Sequence, residues 1–199
     1  MEKTYCYVGD LLGFRKTILN LDEEEQIKRV EEWVQFIESG KDNFSHITDY
    51  HWVSDTIFVG ASDCVEGLDD LILFSKYVLE EGAKKSFLMR GAIAFGNVRW
   101  NDKITFGKAI VNAYVRANNQ EWIGTSCESD LPHINSLWNF DKVFCYPAPM
   151  KRGELIRLSP VVSWKVPTTD LLSRLSTDKG LTSTGEPLRW EWGMKIQNT

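Results

Sequence analysis

Soft metal ligands are scarce in this chain: four cysteines and three histidines in 199 residues. Cys6, Cys64, Cys127 and Cys145 never fall at the Cys-x-x-Cys spacing of zinc ribbons or thioredoxin-type sites. His46, His51 and His133 do not cluster, which removes the common zinc hydrolase patterns. Positive charge is short as well. Lys and Arg number 23 against 28 Asp and Glu, a net charge of −5, where a duplex-DNA or RNA binder carries a basic excess. No apolar run approaches the ~20 residues of a spanning helix, so no membrane segment is expected. Met1-Glu2-Lys3-Thr4 leads straight into strand-like Tyr5-Cys6-Tyr7-Val8, without the basic and apolar stretches of a secretory leader. No regulatory domain is expected ahead of that strand. With unpaired thiols, the expected compartment is a reducing cytoplasm.

Linkers rich in Pro, Gly and Ser are also missing, and so are long repeats. At 43% hydrophobic and 26% charged residues the chain has ordinary globular composition and is long enough for one sizeable core. Periodicity supplies the elements. Residues 5–9 read as a short strand and 12–19 as a short helix. Residues 22–39 read as a firmer helix. Asp22 and Glu23–Glu25 lie at its positive end, Ile27, Val30, Val34 and Ile37 form its stripe, and Gly40 closes it. Residues 46–53 and 56–61 make a hairpin around Ser54-Asp55. A helix over 68–79 follows, then a second hairpin from 86–100 and 104–106, and a helix over 108–118. Strands are expected at 121–125, 142–146, 155–166 and, in a polar tail, 188–194. The order β-α-α-β-β-α-β-β-α-β-β-β predicts an α+β domain. Its β-α-β-β-α-β core is of the ferredoxin-like or palm type, with helices packed on a mainly antiparallel sheet.

Two carboxylates stand at strand turns. Asp10 ends the first strand, in Gly9-Asp10-Leu11-Leu12-Gly13-Phe14, and Asp55 sits in the first hairpin turn. In a palm-like sheet these two places are neighbours. A pair of aspartates there suits Mg²⁺ or Mn²⁺ and an in-line displacement at phosphorus, though Asp is also common at turns and caps. On the helix that starts at Gly107, Ile110, Ala113, Tyr114 and Ala117 form the expected apolar stripe. At about 100° per residue, Asn112 and Arg116 then project together away from the core. Such a pair is either a solvated polar face or a pair reaching into a site, with Arg on phosphoryl charge and Asn on a sugar.

Together these pieces resemble the class III nucleotidyl cyclase catalytic domain. That family shows Asp-x-x-Gly-Phe after its first strand (Asp10 to Phe14 here) and a second Asp in the next hairpin (Asp55). An Arg-containing strand with small residues follows (Arg90 to Val98). A Gly-initiated helix then carries Asn and Arg four apart (Asn112 and Arg116), and a basic pair with Gly comes last (Lys151-Arg152-Gly153). All five occur in family order over roughly residues 5–166. There are departures. The helix carries one extra residue between Gly107 and Asn112. His51, beside Tyr50, stands where adenylate cyclases carry Lys, and Thr105 stands near the other purine-reading position. A short chain of this kind, with Tyr146 to Lys151 and a Val-Ser-Trp strand ending at Trp164, is similar to the pyrimidine cyclases of bacterial Pycsar anti-phage systems.

The resemblance implies a catalytic domain over residues 1–166 and a C-terminal extension, 167–199, packed on it. It implies two divalent ions, Mn²⁺ or Mg²⁺, held by Asp10, Asp55 and the Leu11 carbonyl. Arg116 and Asn112 become catalytic, with Arg116 on the five-coordinate phosphorus and Asn112 on the ribose. Phe14, Tyr50, His51, Thr105, Lys151 and Arg152 become substrate-binding. A single cyclase domain implies a homodimer with composite sites. The expected reaction is UTP to cyclic UMP and pyrophosphate, the product acting on a separate effector in anti-phage defence. Cytidylate or purine cyclases are the alternatives, and a catalytically degenerate nucleotide-binding dimerisation module is a reading of another class.

Overall fold

The structure is a computed structural model that describes residues 1–101, 104–151 and 158–165. Strand β1 (Glu2–Leu11) is followed by helices α1 (Phe14–Asn20) and α2 (Glu23–Lys41). The hairpin β2 (Ile47–Val53) and β3 (Thr56–Ala61), helix α3 (Val65–Lys84), and strands β4 (Met89–Arg99) and β5 (Phe106–Gly107) come next. Helix α4 (Lys108–Asn119), β6 (Gly124–Cys127), a 3-10 turn at Ile134–Leu137, β7 (Val143–Pro147) and β8 (Leu158–Val162) complete the described elements. The strands lie in the order β2-β3-β1-β4-β6-β8-β7, with β5 pairing β4. Among the described strands only β4 and β6 run parallel, joined through α4, so the α+β, mainly antiparallel expectation holds. The expected strand over 188–194 and Arg152 lie outside the described residues.

Alternation along the strands divides the core. Tyr5, Tyr7 and Leu11 of β1, with Met89 and Ile93 of β4, face α2 and α3. Cys6 and Val8, with Ala94 and Val98, face α4. Most of the apolar burial lies on the α2–α3 side, where Trp33, Phe74 and Phe87 are essentially inaccessible to solvent.

Several boundaries moved for packing reasons. Helix α2 has the expected acidic start, with Asp22 and Glu25 closing a reciprocal capping box. Its buried face is Trp33, Phe36 and Ile37, while Ile27 and Val30 remain exposed. The rings of Trp33 and Phe36 remove more area from water against Phe87 than the aliphatic stripe does. Gly40 does not close the helix. It lies inside it, under Tyr77, where a Cβ would come within 2.0 Å of the ring. Strand β6 begins three residues later than expected, at Gly124. The Glu121 N–H donates to the Pro149 carbonyl, and Trp122 packs against Tyr146, so that segment serves a side contact rather than the ladder.

Candidate active site

Asp10 is the last residue but one of β1 and lies on the α4 side of the sheet. The register sets it opposite Arg90 on β4 and Thr56 on β3. One residue earlier, Gly9 and Gly91 are opposite each other, and the Tyr7 ring lies across both. A Cβ would come within 2.5 Å of the ring at Gly9 and 2.4 Å at Gly91. The glycines let the strands close over that ring, and this holds Asp10 and Arg90 in register on the other face.

The Arg90 guanidinium donates to Asp10 Oδ2 through Nε at 2.9 Å and Nη2 at 2.6 Å. Its Nη1 donates to the Gln120 carbonyl at 3.2 Å. Asp10 Oδ1 accepts one longer bond, 3.4 Å, from Thr56 Oγ1. Asp55 is brought alongside by the hairpin, and its carbonyl accepts from the Leu11 N–H at 3.0 Å. Gly13, at φ 79°, then turns the chain into α1, in a conformation that side chains with a Cβ disfavour. Lys151 joins this end of the sheet through its backbone N–H, which donates to Asn119 O at 2.8 Å. Burial, and then the Arg90 charge, hold its ammonium below the usual lysine range, while Asp10 and Glu121 pull the other way. Asp10, Arg90 and Lys151 therefore form one charged cluster, with the backbone of Leu11 and Asp55 closing beside it.

Asn112 and Arg116 do not project into solvent. The stripe that α4 buries is Ala109, Ile110, Ala113 and Ala117, whereas Tyr114 is 47% exposed and lies parallel to Phe58. Replacing Tyr114 by Ala109 in the stripe rotates the buried face and lowers Arg116 onto the sheet. Its Nε donates to Ser126 Oγ at 2.8 Å and its Nη2 to Ser159 Oγ at 2.7 Å. Both partners are neutral, and burial lowers its pKa. Asn112 Nδ2 donates to Glu128 Oε1 at 2.8 Å.

On the opposite flank of α4, His51, Trp52, Val53, Phe58, Asn101, Ile104, Thr105 and Ile110 line a cavity of about 270 Å³. The His51 imidazole lies nearly parallel to Trp100, 5.5 Å between centroids and 9° between planes. Thr105 and His51, distant in sequence, thus meet in one cavity. Tyr50 faces the other way, toward α2. Its hydroxyl donates to Glu38 at 3.3 Å, and Lys41 Nζ sits 4.2 Å from its ring centroid. Phe14 opens α1 and packs at the margin of the α2–α3 core. Neither Tyr50 nor Phe14 lines the cavity.

Solved structures of class III nucleotidyl cyclases share this architecture. The adenylyl cyclase CyaB from P. aeruginosa matches with TM-score 0.56 and 13% identity, over 82% of this chain and 95% of that one. The guanylate cyclase domain of RhGC from Catenaria anguillulae, in complex with GTP, matches with TM-score 0.63 and 10% identity, over 82% and 98%. The catalytic core of a rhodopsin-guanylyl cyclase with converted specificity, in complex with ATPαS, matches with TM-score 0.66 and 8% identity, over 81% and 96%. The chain has the fold of class III cyclase catalytic domains. No family model and no curated protein matches it.

Within this cyclase fold the Asp10 cluster suits a hard divalent cation. Asp10, Asp55 and the Leu11 carbonyl offer only oxygen. Asp10, with its side chain 17% exposed, already pairs with a positive group, and one of its oxygens keeps only the long Thr56 bond. Among the described residues no three His, Cys, Asp or Glu side chains form a metal group. An ion held here would need water or phosphate oxygens to complete its shell, as Mg²⁺ commonly does. No helix among the described residues is long and apolar enough to cross a membrane.

Arg90 was visible in the sequence only as part of a motif, although a lone charge in the apolar run Arg90 to Phe95 is itself a functional cue. Ser126, Ser159, Glu128 and Trp100 carry no sequence cue. Their roles arise only from what folds against them.

Proposed function

We propose that this chain is a nucleotidyl cyclase that converts a nucleoside triphosphate to its 3′,5′-cyclic monophosphate and pyrophosphate. One observation carries the reading: a partly buried carboxylate, Asp10, set between two cations, Arg90 and Lys151, on a cyclase fold, with the hairpin turn that carries Asp55 bonded to the next residue of the strand. Asp10, Asp55 and the Leu11 carbonyl would hold Mn²⁺ or Mg²⁺, two per site. Such ions supply a lowered pKa for the 3′-hydroxyl and neutralisation of the triphosphate. Arg90 and Lys151 bind the terminal phosphate oxygens, and Arg152 is a further candidate for them. Arg116, held by two serine hydroxyls, stabilises the charge that builds on phosphorus. Asn112 orients the ribose.

The base enters the cavity formed by His51, Phe58 and Thr105. Gln120 links the Asp10–Arg90 cluster to the Arg116 group through the backbone, its carbonyl accepting from Arg90 and its side-chain amide donating to the Arg116 carbonyl. Among the described residues, however, no hydrogen bond joins the Arg116 guanidinium to Asp10 or Arg90, and α4 separates the cavity from that guanidinium. A homodimer, in which one chain supplies Asp10 and Asp55 and its partner supplies Asn112 and Arg116, completes the site. His51 and Thr105 are not the Lys and Asp that the resemblance associates with adenine, and Trp100 stiffens the His51 wall. These features favour a single-ring base, UTP before CTP. Cyclic UMP is then a second messenger for a separate effector in anti-phage defence. The test is incubation with all four triphosphates and Mn²⁺, followed by mass analysis. Cyclic UMP is the expected product. Cyclic AMP or cyclic GMP overturns the pyrimidine assignment, and no cyclic product overturns the cyclase reading.

A further inference from the structure

We infer that Gln120 is a positioning residue shared by two active sites: within one chain it fixes Arg90 and Lys151 for one site of the homodimer and Arg116 for the other; this rests on the cyclase reading with composite sites. Gln120 ends α4 and is fully buried. Its N–H turns to the Ala117 carbonyl at 3.3 Å, which leaves the Arg116 carbonyl without that backbone bond. The Gln120 side chain fills the gap. Nε2 donates to the Arg116 carbonyl at 3.1 Å and to the Gly91 carbonyl of β4 at 3.0 Å, while Oε1 accepts from Trp122 Nε1 at 2.7 Å. The backbone of the same residue serves the other half. Its carbonyl accepts from Arg90 Nη1 at 3.2 Å. Gln120 also bridges to Met150, flanked by the Glu121 N–H on the Pro149 carbonyl at 2.9 Å and the Lys151 N–H on the Asn119 carbonyl at 2.8 Å.

A buried amide is costly unless its donors and its acceptor are paired. Here two carbonyls from different elements take both N–H groups, and an indole N–H takes the oxygen, so the amide has one orientation. An apolar side chain fills the same space but gives neither carbonyl a donor. The amide therefore ties the last turn of α4, which carries Arg116, to the β4 residue next to Arg90. Arg116 is aimed by that anchored turn and by Ser126 and Ser159, and Arg90 by the Gln120 carbonyl and Asp10. In the homodimer these groups of one chain face different substrates. Arg90 and Lys151 meet the terminal phosphates in one site, and Arg116 meets the phosphorus under attack in the other. Gln120 touches neither substrate and acts on both through the cations.

The test separates the two duties in heterodimers. After exchange of Asp10→Ala with Arg116→Ala chains, the working site takes Asp10, Arg90 and Lys151 from the Arg116→Ala chain and Arg116 from the Asp10→Ala chain. Gln120→Met, which removes the three side-chain hydrogen bonds at nearly constant length, is then added to one chain at a time. In the Asp10→Ala chain it should lower kcat about tenfold or more with KM little changed, because only Arg116 is released into the working site. In the Arg116→Ala chain it should raise KM for the triphosphate about fivefold or more with a smaller loss of kcat, because only the phosphate-binding cations are released there. A residue that merely braces the fold lowers the amount of active dimer alike in both placements and leaves KM unchanged. Equal effects in the two placements, or unaltered kinetics in both, overturn the inference while the cyclase reading stands. Should Gln120→Met not unfold cooperatively, Gln120→Glu, of equal shape and without the amide donors, goes through the same two placements and is read in the same way. Absence of regain in the parent pair after exchange overturns the composite site and this inference with it. Failure of the wild type to cyclise any triphosphate overturns the cyclase reading itself.

Discussion

Asp10 and Arg90 face each other across the β1–β4 ladder, and the guanidinium places two nitrogens on one carboxylate oxygen, Oδ2, at 2.9 and 2.6 Å. The side chains are 17% and 15% exposed. Removing the cation leaves a carboxylate charge with little water to solvate it. Arg90→Gln should destabilise the metal-free protein by about 2 kcal/mol, discounted for the remaining exposure. That corresponds to roughly 4–8 °C in Tm. Adding Mn²⁺ should recover more Tm in Arg90→Gln than in wild type, because the ion then supplies the missing positive charge. Equal Mn²⁺ shifts in the two proteins, measured by thermal unfolding, would count against metal binding at Asp10.

Asp10→Asn and Asp55→Asn each remove a charged ligand and almost no volume. Turnover should be abolished while the dimer survives in analytical ultracentrifugation. Substantial product from either variant with bound Mn²⁺ would sink the two-metal assignment.

A composite site predicts complementation. Asp10→Ala and Arg116→Ala should each be inactive alone. After subunit exchange, a mixture should regain part of the wild-type rate, since one site of each heterodimer carries both intact groups. No regain after exchange has been demonstrated would place the whole site within one chain.

The lowered pKa of Lys151 sets a pH limit. Burial and Arg90 make its ammonium lose its proton at a lower pH than an ordinary lysine does. The cation is complete below that pKa and disappears as pH rises through it. KM for the triphosphate with Mg²⁺ should therefore climb on the alkaline side earlier than an unperturbed lysine would allow. Lys151→Arg, whose guanidinium stays charged, should flatten that rise. Identical alkaline profiles for the two proteins would remove Lys151 from phosphate binding.

Base selection separates two adjacent residues. Within one chain His51 lines the cavity against Trp100, while Tyr50 lies under Lys41 toward α2. His51→Ala should blur selection among the four triphosphates in competition assays, and Tyr50→Ala should do so less. The reverse ranking would show that the base meets Tyr50 from outside this chain.

How much of this was legible depends on which forces act locally. The order of elements, the capping box at Asp22 and the Leu68, Leu71, Ile72, Val78 and Leu79 face of α3 follow from periodicity and end chemistry, which are properties of short segments. Asp10, Asp55, Asn112 and Arg116 were legible as residue types at turns and helix positions. Which way Arg116 points was not. The stripe of α4 holds two alanines at its flank that fit either rotation, and only the sheet beneath it excludes Tyr114 in favour of Ala109. The same holds for Trp33, Gly40 and the start of β6, where rings from distant segments redirected the local pattern. By itself the amino-acid order determined the α+β class, the hairpin that carries Asp55 and the pairing of chemistries along the chain, because backbone propensity and burial period act over a few residues. Tertiary structure alone decided that Arg90 neutralises Asp10, that His51 and Thr105 share a cavity, and that Ser126, Ser159 and Glu128 hold the helix residues. Those contacts join positions up to 80 residues apart, and strand register, not sequence distance, brings them within hydrogen-bond reach.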